Sequence, residues 1–372
     1  RFTTHTNVEY LIIFFIFSAL LLLSTILSEF VSVSIISFIQ FFPIFIFAKA
    51  LIEEINDDPA FTHKVIHAFR VVCLVSVVFL AGQMVMGMSF TFYPSLNTNT
   101  FLSGSARYPS YFNDPQKYAQ FLAMNCFLFL FRTNHPVETE KRRYFFFMVI
   151  VISLFLTGAR AAFFGLVVGL ALVFLIGESK YRVAGIAGGA IGYFIILLFG
   201  QYFPLFNREE SYSDSYEFRN HIWQEAIEII NDNPLLGIGI GNYQSYVAIY
   251  STDQFWFLPE GEIMYFDHPE SGYLKMLTEF GVIAFPILCL FIIIPIFTAL
   301  WKYFKGLIDN RIFYFMGAIA GWMISYITVY SLSDKRVLIP LTAHICLLML
   351  ANNRKLEVIY EENDTKGYRE NK

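Results

Sequence analysis

The chain of 372 residues is 56% hydrophobic and only 15% charged, and 43 of its residues are Phe. A soluble domain has about 25% charged residues, and its core could not bury this much apolar surface. The net charge of −4 says little, because in a membrane protein the position of each charge matters more than the sum. The composition indicates a membrane protein with several spans, and it excludes soluble enzymes, DNA-binding proteins and secreted disulfide-rich domains.

Apolar runs long enough to form membrane helices follow one another along the chain. The hydrocarbon core of a bilayer is about 30 Å thick, so a helix that crosses it needs about 20 mostly apolar residues. The runs that qualify, some of them short, are 8–28, 30–52, 65–88, 116–131, 144–158, 161–177, 183–200, 272–300, 312–332 and 337–351. We therefore predict an all-α, polytopic membrane protein with about ten transmembrane helices, since a helix satisfies its own backbone in lipid.

The distribution of Lys and Arg between alternate loops predicts the orientation. One set of loops, together with the C-terminal tail, holds fifteen basic residues, and the other set holds six. Because basic residues are concentrated on the cytoplasmic side, we expect both termini in the cytoplasm and residues 201–270 on the outer, periplasmic face. The chain then consists of about seven helices in 1–200, this large loop, three helices in 271–351 and a cytoplasmic tail, 352–372, in the cytoplasmic (inner) membrane.

The predicted outer loop contains a short helix and a glycine-rich segment. Apolar residues recur with helical spacing from Asn220 to Ile230, and the Asn-Pro pair at 233–234 ends the pattern. Residues 237–242 read Gly-Ile-Gly-Ile-Gly-Asn, which differs from the dinucleotide-binding pattern G-x-G-x-x-G and follows no predicted strand. We therefore expect a flexible turn over the membrane surface rather than a nucleotide site.

Three residues stand out by their positions on the predicted outer face. Arg160 lies in a tight turn between two spans, Arg219 opens the loop helix, and His268 lies where the loop returns to the membrane. Two planar guanidinium groups can bind a diphosphate, and a His can take a proton from a sugar hydroxyl. The alternatives are an interfacial cation for each arginine and a helix-capping polar residue for His268.

Other residues have ordinary structural interpretations. Lys275 and Glu279 are four residues apart in a predicted span, which indicates an ion pair along one helix. A G-x-x-x-G pair at residues 165 and 169 is typical of close helix packing. The aromatic residues of the loop, such as Trp223 and Tyr243, form either an interfacial belt or a platform for sugar rings. The outer loops contain no D-x-D metal-binding motif.

Four segments, in order along 107–285, carry a family resemblance. They are RYPSYFNDPQKYA (107–119), TGARAAFFGLVVGLA (157–171), RNHIWQEAIEIINDNPLLGIGIGNY (219–243) and HPESGYLKMLTEFGVIAF (268–285). On these residues the chain resembles the O-antigen ligase and O-antigen polymerase superfamily of bacterial envelope membrane proteins. Pro269 stands where the family usually has Asn, and Ala159 replaces the more common Ser beside the turn arginine.

The resemblance implies an activity and a set of site residues. The family transfers a glycan from an undecaprenyl-diphosphate-linked donor to a hydroxyl of a glycan or of lipid A-core at the outer face, without a metal ion or other cofactor. By resemblance, Arg160 and Arg219 bind the diphosphate, with Arg107 as a weaker third candidate, and His268 is the catalytic base. The candidate sugar contacts are Trp223, Tyr243 and Tyr273. Family members commonly have about twelve spans, so we expect about two more at the N-terminal side.

Two sets of alternatives stay open at this stage. Ligases, polymerases and protein O-oligosaccharyltransferases share these motifs, and the sequence does not separate them or name the sugar. The rival from another class is a multi-span transporter of a small solute or a glycan. A transporter would need polar or broken helices that converge near the middle of the membrane, and the sequence places few ionisable residues there.

Overall fold

The computed structural model describes residues 5–92, 107–132, 140–177, 212–251, 254–257 and 263–351, with a few single residues between 182 and 198. Within these ranges the chain forms helices and one short pair of strands. The elements are α1 (His5–Leu27), α2 (Val31–Phe41), α3 (Pro43–Asp57), α4 (Phe61–Met86), α5 (Pro115–Leu130), α6 (Glu140–Leu156), α7 (Arg160–Ala171, continued by a π-helical turn, Leu172–Gly177), α8 (Tyr212–Asp232), α9 (Tyr243–Tyr250), β1 (Phe255–Phe257), β2 (Ile263–Tyr265), α10 (Gly272–Phe304), α11 (Ile312–Ser325) and α12 (Lys335–Ala351).

The helical membrane fold agrees with the prediction. Among the described residues, five segments are long and apolar enough to cross a membrane: Tyr10–Leu27, Val31–Asp57, Phe61–Met86, Arg160–Gly177 and Gly272–Phe304. A sixth apolar helix, α11, is shorter. The total of about ten spans stays a prediction, because most of 183–200 and all of the tail 352–372 lie outside the described residues. One feature is new: β1 and β2 pair antiparallel, with Phe255 opposite Tyr265.

The chain divides into two compact units. Unit 1 consists of Arg1–Ile46, Ser211–Ile294 and Tyr326–Ser333. Unit 2 consists of Phe47–Glu210, Pro295–Ser325 and Asp334–Lys372.

Unit 2 is built around α5, in which every side chain from Lys117 to Leu130 is buried. The helix begins at Asp114, whose carboxylate accepts a hydrogen bond from the backbone N–H of Gln116 at 2.8 Å, and Pro115 follows at the first helical position. Both are strong start signals, because the carboxylate satisfies a free N–H of the first turn and the proline ring fixes a helical φ.

The packing of α7 on α11 depends on glycine. A Cβ atom added at Gly165 would lie 2.9 Å from the carbonyl carbon of Gly321, and one at Gly317 would lie 2.9 Å from the carbonyl oxygen of Gly169. The two backbones therefore touch directly, and no side chain fits between them. The close helix packing predicted from the G-x-x-x-G spacing is confirmed.

In unit 2, two hydrogen bonds each join residues that belong to the same predicted set of loops. The Nε of Arg107 donates to the carbonyl oxygen of Thr157 at 3.1 Å, and both residues belong to predicted outer turns. The guanidinium of Arg143 donates to the carbonyl oxygen of Leu130 at 3.2 Å, and both residues flank a predicted cytoplasmic loop. The alternation of loops agrees with these contacts, and which face is cytoplasmic stays a prediction.

In unit 1, α10 is broken at Gly281, and the glycine-rich segment 237–242 packs into the break. Gly281 has φ 68° and ψ 178°, which interrupts the helical hydrogen bonds. The N–H of Ile238 donates to the freed carbonyl oxygen of Thr278 at 2.9 Å, and the N–H of Gly239 donates to that of Glu279 at 3.1 Å. A broken helix in an apolar setting needs such partners for its backbone groups.

The expectation of a flexible turn over the membrane surface for 237–242 is therefore wrong in one respect. The segment does turn, with positive φ at Gly237, Gly239 and Gly241. It is nevertheless packed, since the side chains of Ile238 and Ile240 are each only 5% exposed. Serines at 24, 28, 34 and 37 of the α1–α2 region face the segment. Ser24 donates to the carbonyl oxygen of Leu236 at 2.6 Å, and a Cβ added to Gly239 would lie 2.6 Å from the Cβ of Ser28.

Candidate active site

His268 lies on the turn between β2 and α10, here called the His268 turn and defined as Asp267–Gly272. A hydrogen bond fixes the end of the turn, because the N–H of Gly272 donates to the carbonyl oxygen of Tyr326 at 2.9 Å. Within it, Glu270 has φ 47°, a left-handed conformation that is uncommon for a residue with a side chain. Such conformations persist where surrounding contacts hold them, and they are frequent at functional sites.

The imidazole of His268 faces the carboxylate of Asp267. Their Nδ1 and Oδ1 atoms are 2.6 Å apart, and the side chains are 16% and 53% exposed respectively. A carboxylate only accepts hydrogen bonds, so the shared proton belongs to Nδ1 of the ring. In the neutral ring, the other nitrogen, Nε2, then carries a lone pair and can accept a proton.

Lys275 connects the His268 turn to the first turns of α10. Its ammonium donates to the backbone carbonyl oxygen of Asp267 and lies 4.2 Å from the centre of the Tyr330 ring. It also lies 3.5 Å from Oε1 of Glu279, and the two side chains are 8% and 0% exposed. The ion pair predicted from the four-residue spacing is confirmed. The same Glu279 oxygen accepts a hydrogen bond from the N–H of Tyr243 at 3.2 Å, so the pair also holds the start of α9.

Arg219 reaches the His268 turn through Glu270. It lies inside α8 (Tyr212–Asp232) and not at its start, so the prediction that it opens the loop helix is wrong. Its guanidinium lies 3.8 Å from the Glu270 carboxylate, and both side chains are about 30% exposed, at 31% and 29%. A partly solvated pair of this kind contributes about 0–1 kcal/mol to stability. The structure therefore brings Arg219 and the turn that carries His268 together, through a contact that an anionic ligand could replace.

Arg160 and Arg107 lie together in unit 2. Arg160 is the first residue of α7, directly after a turn in which Gly158 has φ 65°. The side chain of Arg107 lies over this turn: a Cβ on Gly158 would lie 3.3 Å from Arg107 Cγ, and Arg107 Nε binds the carbonyl oxygen of Thr157. The two guanidinium-bearing residues and the N-terminus of α7 concentrate positive charge at one turn, which suits an anion.

The candidate residues thus form two groups. His268 and Arg219 belong to unit 1, and Arg107 and Arg160 belong to unit 2. The structure shows the neighbours of each group within its own unit.

The three aromatic candidates have different surroundings. Trp223 follows Arg219 by four residues on the same face of α8, and its indole N–H is buried without a hydrogen-bond partner among the described residues. Tyr243 is fully buried, and its hydroxyl donates to Oε1 of Gln254 at 2.8 Å. Burial raises the pKa of its phenol, so the hydroxyl keeps its proton. Tyr273 packs edge-on against Tyr326, with ring centres 5.1 Å apart. Their contacts with sugar stay predictions.

Two acidic residues at the His268 turn were missed by sequence reasoning. Asp267 and Glu270 pair with the candidate base and with a candidate diphosphate ligand respectively. The signal for the first was available, because the chain reads Asp-His at 267–268 and adjacent side chains on a turn can meet. The pairing of the second depends on its left-handed backbone, which no spacing rule indicates.

Apolar helices long enough to cross a membrane, together with a polar turn that carries His268 and reaches Arg219, define a polytopic membrane protein with a candidate site on that turn. Residues 145–289 match a family model described as O-antigen ligase. This match supports the resemblance to the O-antigen ligase and O-antigen polymerase superfamily that the motifs carry, and over residues 145–289 that resemblance is confirmed. A comparison with curated proteins finds no match to this chain.

Proposed function

We propose that the protein is a membrane glycosyltransferase that moves a glycan from undecaprenyl diphosphate to a hydroxyl of a sugar or of lipid A-core. The reaction takes place at the outer face of the cytoplasmic membrane. The observation that carries the proposal is the extent of the family match, 145–289, which contains Arg160, Arg219 and His268. Arg107 lies outside the match and enters only through its contact with the turn before α7.

His268 is the general base in this proposal. Its Nε2 takes the proton of the acceptor hydroxyl, and the acceptor oxygen forms a bond to the anomeric carbon of the donor sugar. The bond from that carbon to the diphosphate oxygen breaks, and undecaprenyl diphosphate leaves with the bonding electron pair. The leaving group is already good, so the protein mainly has to orient the acceptor, remove its proton and stabilise the departing negative charge.

The arginines stabilise that charge. A guanidinium presents two parallel N–H groups to phosphate oxygens and stays charged at any physiological pH. The weak contact of Arg219 with Glu270 supports this role, since a diphosphate with several negative charges can displace a partly solvated carboxylate. Arg160 contributes from the N-terminus of α7, with Arg107 beside it. Because fixed cations supply the charge, we expect transfer to proceed without a metal ion.

The test is complementation of a strain that lacks the gene. Unaltered protein should restore the surface polysaccharide, and His268→Ala should leave the undecaprenyl-diphosphate-linked glycan accumulating while the variant still reaches the membrane. Loss of chain length, of lipid A-core attachment or of protein glycosylation would identify a polymerase, a ligase or a protein O-oligosaccharyltransferase respectively. Full restoration by His268→Ala would contradict the proposal.

Purified protein in vesicles separates transfer from transport. The donor is the lipid-linked glycan extracted from the deletion strain, and the acceptor is the matching glycan or lipid A-core fraction. A transferase forms a new glycosidic bond and releases undecaprenyl diphosphate in this mixture with EDTA present. A transporter would only move the glycan across the vesicle membrane, and formation of no new bond would refute the proposed activity.

A further inference from the structure

The carboxylate of Asp267 has one close partner that the proposed reaction uses, the ring of His268. The 2.6 Å distance between Oδ1 and Nδ1 is that of a strong, charge-assisted hydrogen bond. The carboxylate is about half exposed, whereas the ring is largely buried. The pair therefore consists of a solvent-exposed acceptor, the carboxylate, and a largely buried donor, the imidazole.

This hydrogen bond decides which ring nitrogen can act as a base. An imidazole whose Nδ1–H is donated to a carboxylate has its lone pair on Nε2. Rotation of the ring by a half turn would lose the hydrogen bond, so the carboxylate also selects one orientation. When Nε2 takes a proton, the neighbouring negative charge stabilises the imidazolium that forms.

The backbone of Asp267 is itself held in place. Its carbonyl oxygen accepts from the ammonium of Lys275, which rests on the Tyr330 ring. The residue before it is fixed as well, because the N–H of Phe266 donates to the carbonyl oxygen of Gln254 at 3.0 Å. A carboxylate on such an anchored backbone can orient a neighbouring ring, whereas one on a loose loop could not.

We propose that Asp267 is a positioning residue for the transfer reaction, which holds His268 with Nε2 toward the acceptor hydroxyl. The inference rests on the proposed function, since it assumes that His268 is the base. Asp267 acts through the ring and touches neither substrate. No metal or further reactant takes part: the carboxylate keeps its hydrogen bond while the proton of the acceptor moves to Nε2.

The test replaces the carboxylate with its isostere in the full-length protein reconstituted in vesicles, with the lipid-linked glycan from the deletion strain as donor. In Asp267→Asn the amide can donate to Nδ1, which puts the ring proton on Nε2 and blocks the base. We expect kcat to fall by about 10-fold or more, with the KM for the donor and the unfolding temperature unchanged. Asp267→Glu, which keeps an acceptor, should recover part of the lost kcat.

Asp232→Asn is the matched control, because it makes the same chemical change on an exposed residue of α8 and should leave kcat unchanged. The positioning role is overturned if Asp267→Asn keeps kcat within about twofold. It is equally overturned if the loss of kcat comes with a matching fall in unfolding temperature that Asp267→Glu does not reverse. His268→Ala distinguishes failure of the proposed general base from failure of the positioning role alone. If His268→Ala turns over normally, both the base and its positioning fail, and if it is inactive while Asp267→Asn is normal, only the positioning fails.

Discussion

The backbone N–H of Val282 donates to the carbonyl oxygen of Pro234, at 2.8 Å, and not to Thr278 four residues earlier in its own helix. The Thr278 carbonyl accepts instead from the N–H of Ile238. Residues 234–239 and α10 thus exchange hydrogen bonds around the break at Gly281. The freed carbonyl oxygens of Thr278 and Glu279 and the freed N–H of Val282 each find a partner, which an apolar environment demands.

This exchange predicts that Gly281→Ala destabilises the protein strongly. The backbone at φ 68° and ψ 178° is accessible essentially only to glycine, and an added Cβ would lie 2.6 Å from the backbone nitrogen of Gly237. Strain and overlap together should lower the free energy of unfolding by about 3 kcal/mol or more. The measurement is the thermal unfolding midpoint in detergent.

Gly306→Ala is the matched control for that experiment. Gly306 has φ 69°, and a Cβ there would meet no atom within 4 Å, so only backbone strain of about 1–2 kcal/mol is added. Equal losses in the two variants would mean that the docked segment 237–242 does not resist an extra methyl group at the break.

The proposed diphosphate ligands predict large losses of transfer when either guanidinium is removed. Arg160→Ala and Arg219→Ala should each lower the transfer rate by about 10²-fold or more, because each removes charge from the departing group. The Lys variants should recover only part, since an ammonium keeps the charge and loses the paired N–H groups. Initial rates in reconstituted vesicles provide the measurement.

Arg142→Ala serves as the control for general charge. Arg142 is exposed near the start of α6 and lies 5.6 Å from the centre of the Phe146 ring. A loss at Arg142 equal to that at Arg219 would show that overall basic charge, and not a specific contact with diphosphate, supports transfer.

The general-base role of His268 predicts that substitutions of this residue lower turnover and leave donor binding largely unchanged. His268→Ala and His268→Gln should both lower kcat by about 10²- to 10⁴-fold, because neither side chain can take a proton. Donor binding, followed by the KM for the lipid-linked glycan, should change little, since the arginines are intact. Near-normal turnover in the Gln variant would return His268 to a polar residue at the start of a helix.

The predicted orientation can be tested with reporter fusions. A periplasm-active reporter should be active after Tyr250, in the predicted outer loop, and inactive after Arg143 or Lys355. The physical reason is the excess of basic residues in the loops assigned to the cytoplasm. A cytoplasmic readout at Tyr250 would place α9 on the wrong side of the membrane for a donor presented outside.

The positions of the helices could be predicted from the sequence because they follow from composition. The run 272–300 corresponds to α10, and the helical spacing from Asn220 to Ile230 lies inside α8. The break at Gly281 could not be predicted, since the apolar pattern continues across it without interruption. It exists because residues 234–239 supply hydrogen bonds from elsewhere in the chain, and such tertiary partners leave no local signal.

Some residues of the candidate site could likewise be predicted from the sequence, and others could not. Arg219 and His268 are predicted from residue type, position and motif. The partners that hold the turn were not, because Lys275 binds a backbone carbonyl and Glu270 depends on a left-handed conformation. The ion pair of Lys275 with Glu279 follows from helical periodicity alone, whereas the direction of its remaining N–H groups depends on the fold.

The glycine contacts between α7 and α11 have a consequence for the position of Arg160 along the helix axis. Gly165 faces Gly321 and Gly169 faces Gly317, so the two helices run antiparallel in a single register. Sliding by one turn, about 5.4 Å, in one of the two directions would bring Phe313 opposite Gly169, where two backbones now touch and a benzyl group cannot fit. Arg160 begins the same rigid helix less than two turns from the first glycine contact. The glycine contacts thus block the sliding of α7 along α11 in that direction, and with it a one-turn displacement of the backbone that carries Arg160.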